Sequence, residues 1–213
     1  MGVNLDCIDP GTRGAAVEAA VRAVRAGQLV VLPTDTLYGI GADAFDSAAI
    51  TSLLAAKGRG RDMPVPVLVG SWDTIDGLVT VVDDRLRDLV EAFWPGGLTI
   101  VVEHARSLTW DIGDARGTVA LRMPLHPVAL DVLREVGPMG VSSANRSGQP
   151  PAKTAQEARD QLGDLVSVYL DAGPVAKGVA STIVDVTTEV PKVLRAGAVD
   201  LDALRRVVPG IQA

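Results

Sequence analysis

Residues 28–43 read QLVVLPTDTLYGIGAD. The stretch opens on a short apolar run and closes it with Pro33. A run of that length bounded by proline predicts a buried strand over 28–33. PTDTLYGIGAD, 33–43, then predicts a loop rich in Thr and Gly. A buried strand that hands over to a hydroxyl-bearing loop suits an open α/β sheet, where ligands collect at the carboxyl ends of strands.

The pattern extends in both directions. Upstream, Val17, Ala20, Val21 and Val24 recur at helical spacing, and Gly27 supplies a stop. The residues around Cys7 predict a frayed N-terminus. Downstream, Asp46 or Ser47 caps a helix carrying Ile50, Leu53 and Leu54 on one face, and Gly58 ends it. VPVLV (65–69) reads as the next strand. A helix over 83–93 leads to strands at 98–103 and 118–124, with 104–117 as a loop between them. Pro127 starts a helix through Leu133, and GVSS (140–143) returns as a strand. A polar loop, 144–154, and a short helix precede three strands, VSVYLDAG, STIVDV and KVLRAG. A last helix, 199–207, is capped by Asp200 or Asp202. Helices and strands alternate early and strands cluster late. That order predicts one twisted mixed sheet with flanking helices, an α/β fold with α+β character. Nothing in the composition marks a linker, so residues 1–213 read as a single domain.

Composition excludes several classes of function. There are 26 Asp and Glu against 20 Lys and Arg, for a net charge of −6. Aromatics make up 3% of the chain. Both facts argue against an extended nucleic-acid interface, which needs phosphate-neutralising cations and stacking platforms, and against direct, stable tRNA binding. One cysteine permits no internal disulfide and no Cys-based zinc site. No secretory signal and no membrane span is legible, so the cytoplasm is the expected compartment.

Nucleophilic machinery is scarce. The two histidines, His104 and His126, read as a solvated strand end and a structural or site-edge residue. No metalloprotease, EF-hand or Gly-rich phosphate-loop signature occurs. An enzyme built from this chain works by positioning and electrostatics. The candidate cations stand out against the acidic mean. In KGRGRDMP (57–64), Lys57, Arg59 and Arg61 fall within five residues, alternating with Gly58 and Gly60. Charges at a helix end also complement its dipole, for about 0.3–1 kcal/mol each, but three together suit an anion. Arg122 and Arg195 stand at strand exits. Hydroxyls and amides cluster in PTDTLYG, SSANRSG and STIVD.

PTDTLYGIGADA, KGRGRDMP, FWPGGLT, VALRMPLHP, SSANRSGQPP, STIVD and LRAG follow one another in an order and spacing that resemble the YrdC-like family of threonylcarbamoyl-AMP synthases. The resemblance covers about residues 14–200. It implies a deep, positively charged cavity on one side of the sheet and, because the chain stops soon after Arg195, the short form without a second C-terminal domain. The implied reaction joins L-threonine, bicarbonate or carbon dioxide, and ATP into threonylcarbamoyl-adenylate and pyrophosphate. Magnesium accompanies the ATP, and the product passes to the tRNA threonylcarbamoyl transferase machinery. The family hallmark, Lys-x-Arg followed by Ser-x-Asn, falls on Lys57, Arg59, Ser143 and Asn145, which the resemblance makes catalytic. It further assigns Lys57, Arg59, Thr118, Ser143 and Arg195 to ATP. Thr36, Arg122, Ser142 and Ser181 go to threonine, with Ser142 able to serve either ligand.

The chain departs from the family pattern at Met63 and Leu68, where many members carry Asn and some carry His. Two rival readings are a paralogue with another carbamoyl or nucleotide role and an RNA-binding module.

Overall fold

A computed structural model describes residues 2–176 and 178–213. In chain order its elements are β1 (Val3–Asp6), α1 (Pro10–Arg25), β2 (Val30–Leu32), β3 (Gly39–Asp43), α2 (Ser47–Lys57), β4 (Val67–Leu68), α3 (Ile75–Leu78), α4 (Asp84–Phe93), β5 (Leu98–Glu103), β6 (Thr118–Arg122), α5 (Pro127–Val136), β7 (Met139–Ser143), α6 (Ala155–Leu162), β8 (Val168–Asp171), β9 (Thr182–Asp185), β10 (Lys192–Arg195) and α7 (Leu201–Val207).

Helix starts follow local chemistry. Asp9 accepts the N–H of Gly11 ahead of Pro10, which needs no partner at the first helical position. Asp46 accepts from Ala48 and Ala49, so it is the cap of α2. Asp83 and Asp200 cap α4 and α7. Thr154 accepts the N–H of Glu157, whose carboxylate accepts the N–H of Lys153 in return.

The strands form one open, mixed sheet in the order β1-β8-β2-β3-β7-β4-β6-β5-β9-β10. β8 runs parallel to both β1 and β2; β4 with β6 and β5 with β9 are also parallel. The remaining neighbours are antiparallel. Alternation along the strands divides the core. Val30 and Leu32 point to the layer of α1 and α5, packed with Val17, Val21, Val132 and Leu133. Val31 points the opposite way, to Ile50, Leu53 and Ala158 of α2 and α6. At the other end of the sheet, Leu86, Leu89 and Leu204 of α4 and α7 cover Leu98, Ile100 and Val184.

Three sequence expectations are corrected. Residues 39–43 form strand β3 inside the stretch read as a loop. Its glycines hid it: a Cβ on Gly39 would lie 2.6 Å from Val141, and one on Gly41 2.9 Å from Met139. Close approach to β7 therefore requires residues that carry no β-propensity. The N-terminus is not frayed: β1 pairs with β8, and Cys7 is buried, which raises its thiol pKa to about 11. His104 is half-buried rather than solvated, with its ring edge-on to Trp110 at 5.7 Å.

Candidate active site

The apolar stripe of α2 runs Ile50, Leu53, Leu54 and continues to Lys57 at the same helical spacing. Lys57 is thus carried on the buried face and is 3% exposed. Gly58 ends the helix at φ 62°, a left-handed conformation glycine adopts without Cβ strain. The Lys57 ammonium donates to the Ser143 carbonyl, to the Asn145 carbonyl at 2.7 Å and to Asn145 Oδ1 at 3.4 Å. Burial, reinforced by the neighbouring Arg59 charge, pushes its pKa down to about 8.

Arg59 is held more loosely. Nη1 lies 3.3 Å from Ser142 Oγ and Nη2 3.4 Å from the Pro64 carbonyl. Its Nε is buried and has no hydrogen-bond partner among the described residues. Burial lowers its pKa, against the pull of Asp62. Arg61 turns away and pairs with Asp111 and Asp114, fastening this turn to the 104–117 loop.

A second group gathers around Arg122 at the end of β6. Nε donates to the Gly96 carbonyl at 2.8 Å, Nη1 to Thr36 Oγ1 at 2.9 Å and Nη2 to Asp35 at 2.6 Å. A guanidinium has five N–H groups, so two remain for a ligand. Burial lowers the Arg122 pKa; Asp35 opposes the shift and Arg195 adds to it. Arg195 donates from Nε and Nη2 to the Ser181 carbonyl at 3.0 and 2.7 Å, and from Nη2 to Ser181 Oγ at 3.0 Å. Ser181 Oγ also meets Thr99 Oγ1 at 2.8 Å. Burial lowers the Arg195 pKa.

The structure therefore collects nine of the ten candidate residues into two neighbourhoods. Lys57, bonded to Ser143 and Asn145, and Arg59, bonded to Ser142, form one; the hydrogen-bonded pairs Thr36–Arg122 and Ser181–Arg195, whose arginines feel each other's charge, form the other. The 33–38 loop connects them, because Thr36 touches Arg122 and Gly39 pairs with Ser143. Thr118 joins neither group: its hydroxyl donates to the Ala115 carbonyl at 2.8 Å, at the opposite end of β6 from Arg122. Alternation still puts both side chains on one face of the strand. Hollows lined by Thr80, Arg85 and Glu103, and by Arg13, Asp131 and Arg134, contain none of these residues.

Asp35 and Thr99 escaped the sequence reading. Asp35 also accepts the N–H of Leu125 at 2.8 Å, so it ties the 33–38 loop to the turn after β6. A buried threonine inside LTIVVE was the available signal for Thr99, which is 3% exposed. His126 precedes α5 and makes no cap bond with its side chain; burial lowers its pKa.

A buried Arg122, a half-buried Arg59 and an exposed Arg195, set among hydroxyls with a single hydrogen-bonded carboxylate, define an α/β protein whose candidate site is of a kind that suits anionic ligands. A family model described as telomere recombination, Sua5/YciO/YrdC, matches residues 22–197. The chain belongs to the Sua5/YciO/YrdC family. A Mycobacterium tuberculosis protein provisionally named a threonylcarbamoyl-AMP synthase is 61% identical over 213 residues, which are 100% of this chain and 98% of that one. The threonylcarbamoyl-AMP synthase of Pyrococcus abyssi is 32% identical over 197 residues, 92% of this chain and 58% of that one. The structure of Pyrococcus abyssi Sua5 complexed with L-threonine superposes with a TM-score of 0.92 at 30% identity, covering 100% of this chain. The present chain spans 62% of that Sua5. No helix among the described residues is long and apolar enough to cross a membrane.

Proposed function

We propose that this chain makes threonylcarbamoyl-AMP for the threonylcarbamoyladenosine modification of tRNA. The observation that carries this reading is the full-length similarity at 61% identity to a relative named for that reaction, joined to a site of guanidiniums and hydroxyls. Threonine is the amino-acid substrate, as supported by the threonine-bound Sua5 relative.

The chemistry needs no protein nucleophile. The threonine amine adds to carbon dioxide, or to bicarbonate with loss of water, giving a carbamate. A carbamate oxygen then attacks the α-phosphorus of ATP, and the bond to pyrophosphate breaks. What the protein supplies is placement and charge. The two spare N–H groups of Arg122 take the threonine carboxylate as a fork, with Thr36, Ser142 and Ser181 around the rest of the amino acid. Arg59 and Arg195 neutralise the triphosphate, with Thr118 and Ser143 at its edges. Lys57 and Asn145 complete the site beside Ser143.

Magnesium enters as part of the ATP substrate. Phosphate oxygens and water are the ligands that such an ion takes. The product then passes to an enzyme that transfers the threonylcarbamoyl group to tRNA.

The test is mass-spectrometric detection of threonylcarbamoyl-adenylate after incubation with magnesium, ATP, threonine and bicarbonate. Pyrophosphate release is expected to require threonine and bicarbonate together. Equal release without threonine removes the synthase reading and leaves a nucleotide hydrolase.

A further inference from the structure

An ammonium has three N–H donors, and those of Lys57 have three acceptors in one loop: the Ser143 carbonyl, the Asn145 carbonyl and Asn145 Oδ1. The other end of the Asn145 amide is committed too, donating from Nδ2 to the carbonyls of Arg146 and Gln149, both at 2.8 Å. Only one amide orientation satisfies this network, because carbonyls and an ammonium demand opposite partners. The Lys57 carbonyl completes the attachment by accepting the N–H of Ser147 at 2.8 Å.

We infer that Lys57 and Asn145 are positioning residues, a clasp that fastens the 143–149 loop to the end of α2 and sets where Ser142 and Ser143 stand. This rests on the nucleotide reading of the site above. It divides the four-residue hallmark by role. Arg59 is the cation left to meet phosphate, with a buried Nε that has no partner among the described residues and two long contacts. Lys57 meets the ligand only through the loop. To bind phosphate directly, its ammonium must leave buried carbonyls, and those carbonyls then lose their partner. A clamp has donors to spare, and Lys57 has none.

The clasp predicts that its two members act as one unit. Lys57→Met, Asn145→Ala and the double variant are compared with wild type in the full chain. Hydrogen exchange of the 143–149 segment is followed without substrates, and kcat and KM for ATP are measured with them. Each single variant is expected to speed exchange in this segment about fivefold or more, with the rest of the sheet unchanged. Each is expected to lower kcat about tenfold or more while KM for ATP moves less than about threefold, and the double variant is expected to be no worse than the worse single. Unchanged exchange together with a tenfold or larger rise in KM for ATP in Lys57→Met overturns the clasp and makes Lys57 a phosphate ligand. Multiplying effects in the double variant also overturn it. If Lys57→Met does not fold, Asn145→Ala decides by the same measurements. Should wild type form no adenylate, the function reading fails by itself, and the exchange comparison still decides the clasp.

Discussion

Asp35 lies 2.6 Å from Nη2 of Arg122, and it is the one carboxylate hydrogen-bonded to a candidate site residue among the described residues. The Arg122 side chain is 7% exposed and that of Asp35 19%. The candidate ligand site thus keeps one hydrogen-bonded acid, and it serves to aim the arginine. Removing one partner of a buried pair leaves the other charge uncompensated, at a cost of about 3–5 kcal/mol. Asp35→Ala is therefore expected to lose roughly that much stability in urea titrations, at the low end because Asp35 keeps some contact with solvent. A loss under about 1 kcal/mol means the pair behaves as a surface ion pair and does not organise the loop.

Lys57 gives the molecule opposite responses to pH in stability and in activity. In the unfolded chain it titrates near the ordinary 10.5, and in the fold near about 8. Between those values the unfolded chain binds more protons, so this group's contribution to stability grows as pH rises. All three hydrogen bonds to the 143–145 loop need the charged ammonium; the neutral amine has two N–H groups, so one bond is lost and the others weaken as pH rises through about 8. In wild type, kcat is expected to fall above about pH 8 with no matching loss of stability from this group. Lys57→Met is expected to lack that descending limb. Persistence of the limb in Lys57→Met assigns it to another group or to a substrate.

The parts legible in the sequence were those decided locally. Asp46, the stripe Ile50, Leu53 and Leu54, and the stop at Gly58 carry their helix in one short window, and α2 follows them closely. The cations of the site were legible because they contradict an acidic chain. What stayed hidden depends on distant partners. Three of the four residues of β1 are exposed, so no alternation marks it, and it owes its existence to β8, more than 160 positions away. Thr99 meets Ser181 only because Leu98 pairs with Thr182. Lys57 was legible as a cation, but the carbonyls that occupy it come from a loop 86 to 88 residues further on.

Gly97 offers a test of spacing. A Cβ there would come within 2.6 Å of the Ala198 Cβ and 3.7 Å of Thr36 Cγ2. The Gly97 carbonyl also accepts the N–H of Thr182, next to Ser181. Gly97→Ala must push the 197–198 turn away from β5, and Ser181 and Thr36 lie on either side of it. The variant is expected to raise KM for threonine about tenfold, with a smaller effect on KM for ATP, since misplacement by about 1 Å is enough for losses of that order. Equal rises in both KM values show that the displacement spreads through the whole site.

The hydroxyl inventory fixes how threonine is told from valine. Thr34 Oγ1 donates to the Leu37 carbonyl at 2.6 Å, so its proton is spent. Its two lone pairs face the N–H groups of Thr36 and Leu37 at 3.1 and 3.2 Å, so the Thr36 hydroxyl, 3.0 Å away, meets an acceptor that is already occupied. Thr36 Oγ1 also accepts from Arg122, which leaves it one lone pair for a ligand. Thr36 therefore offers the substrate an acceptor, which suits a hydroxyl or amine that donates. Valine matches threonine in shape but carries no such hydroxyl, and a buried hydrogen bond left unmade costs about 1–3 kcal/mol. Threonine is expected to exceed valine in kcat/KM by roughly a hundredfold. Thr36→Val removes the acceptor, and the ratio is expected to shrink about tenfold, mostly through a lower rate with threonine. Ser181→Ala tests the other candidate, because Ser181 Oγ accepts from Arg195 and shares one proton with Thr99. If Thr36→Val keeps the full ratio and Ser181→Ala loses it, the substrate hydroxyl lies against β9, and the 33–38 loop serves only to hold Arg122.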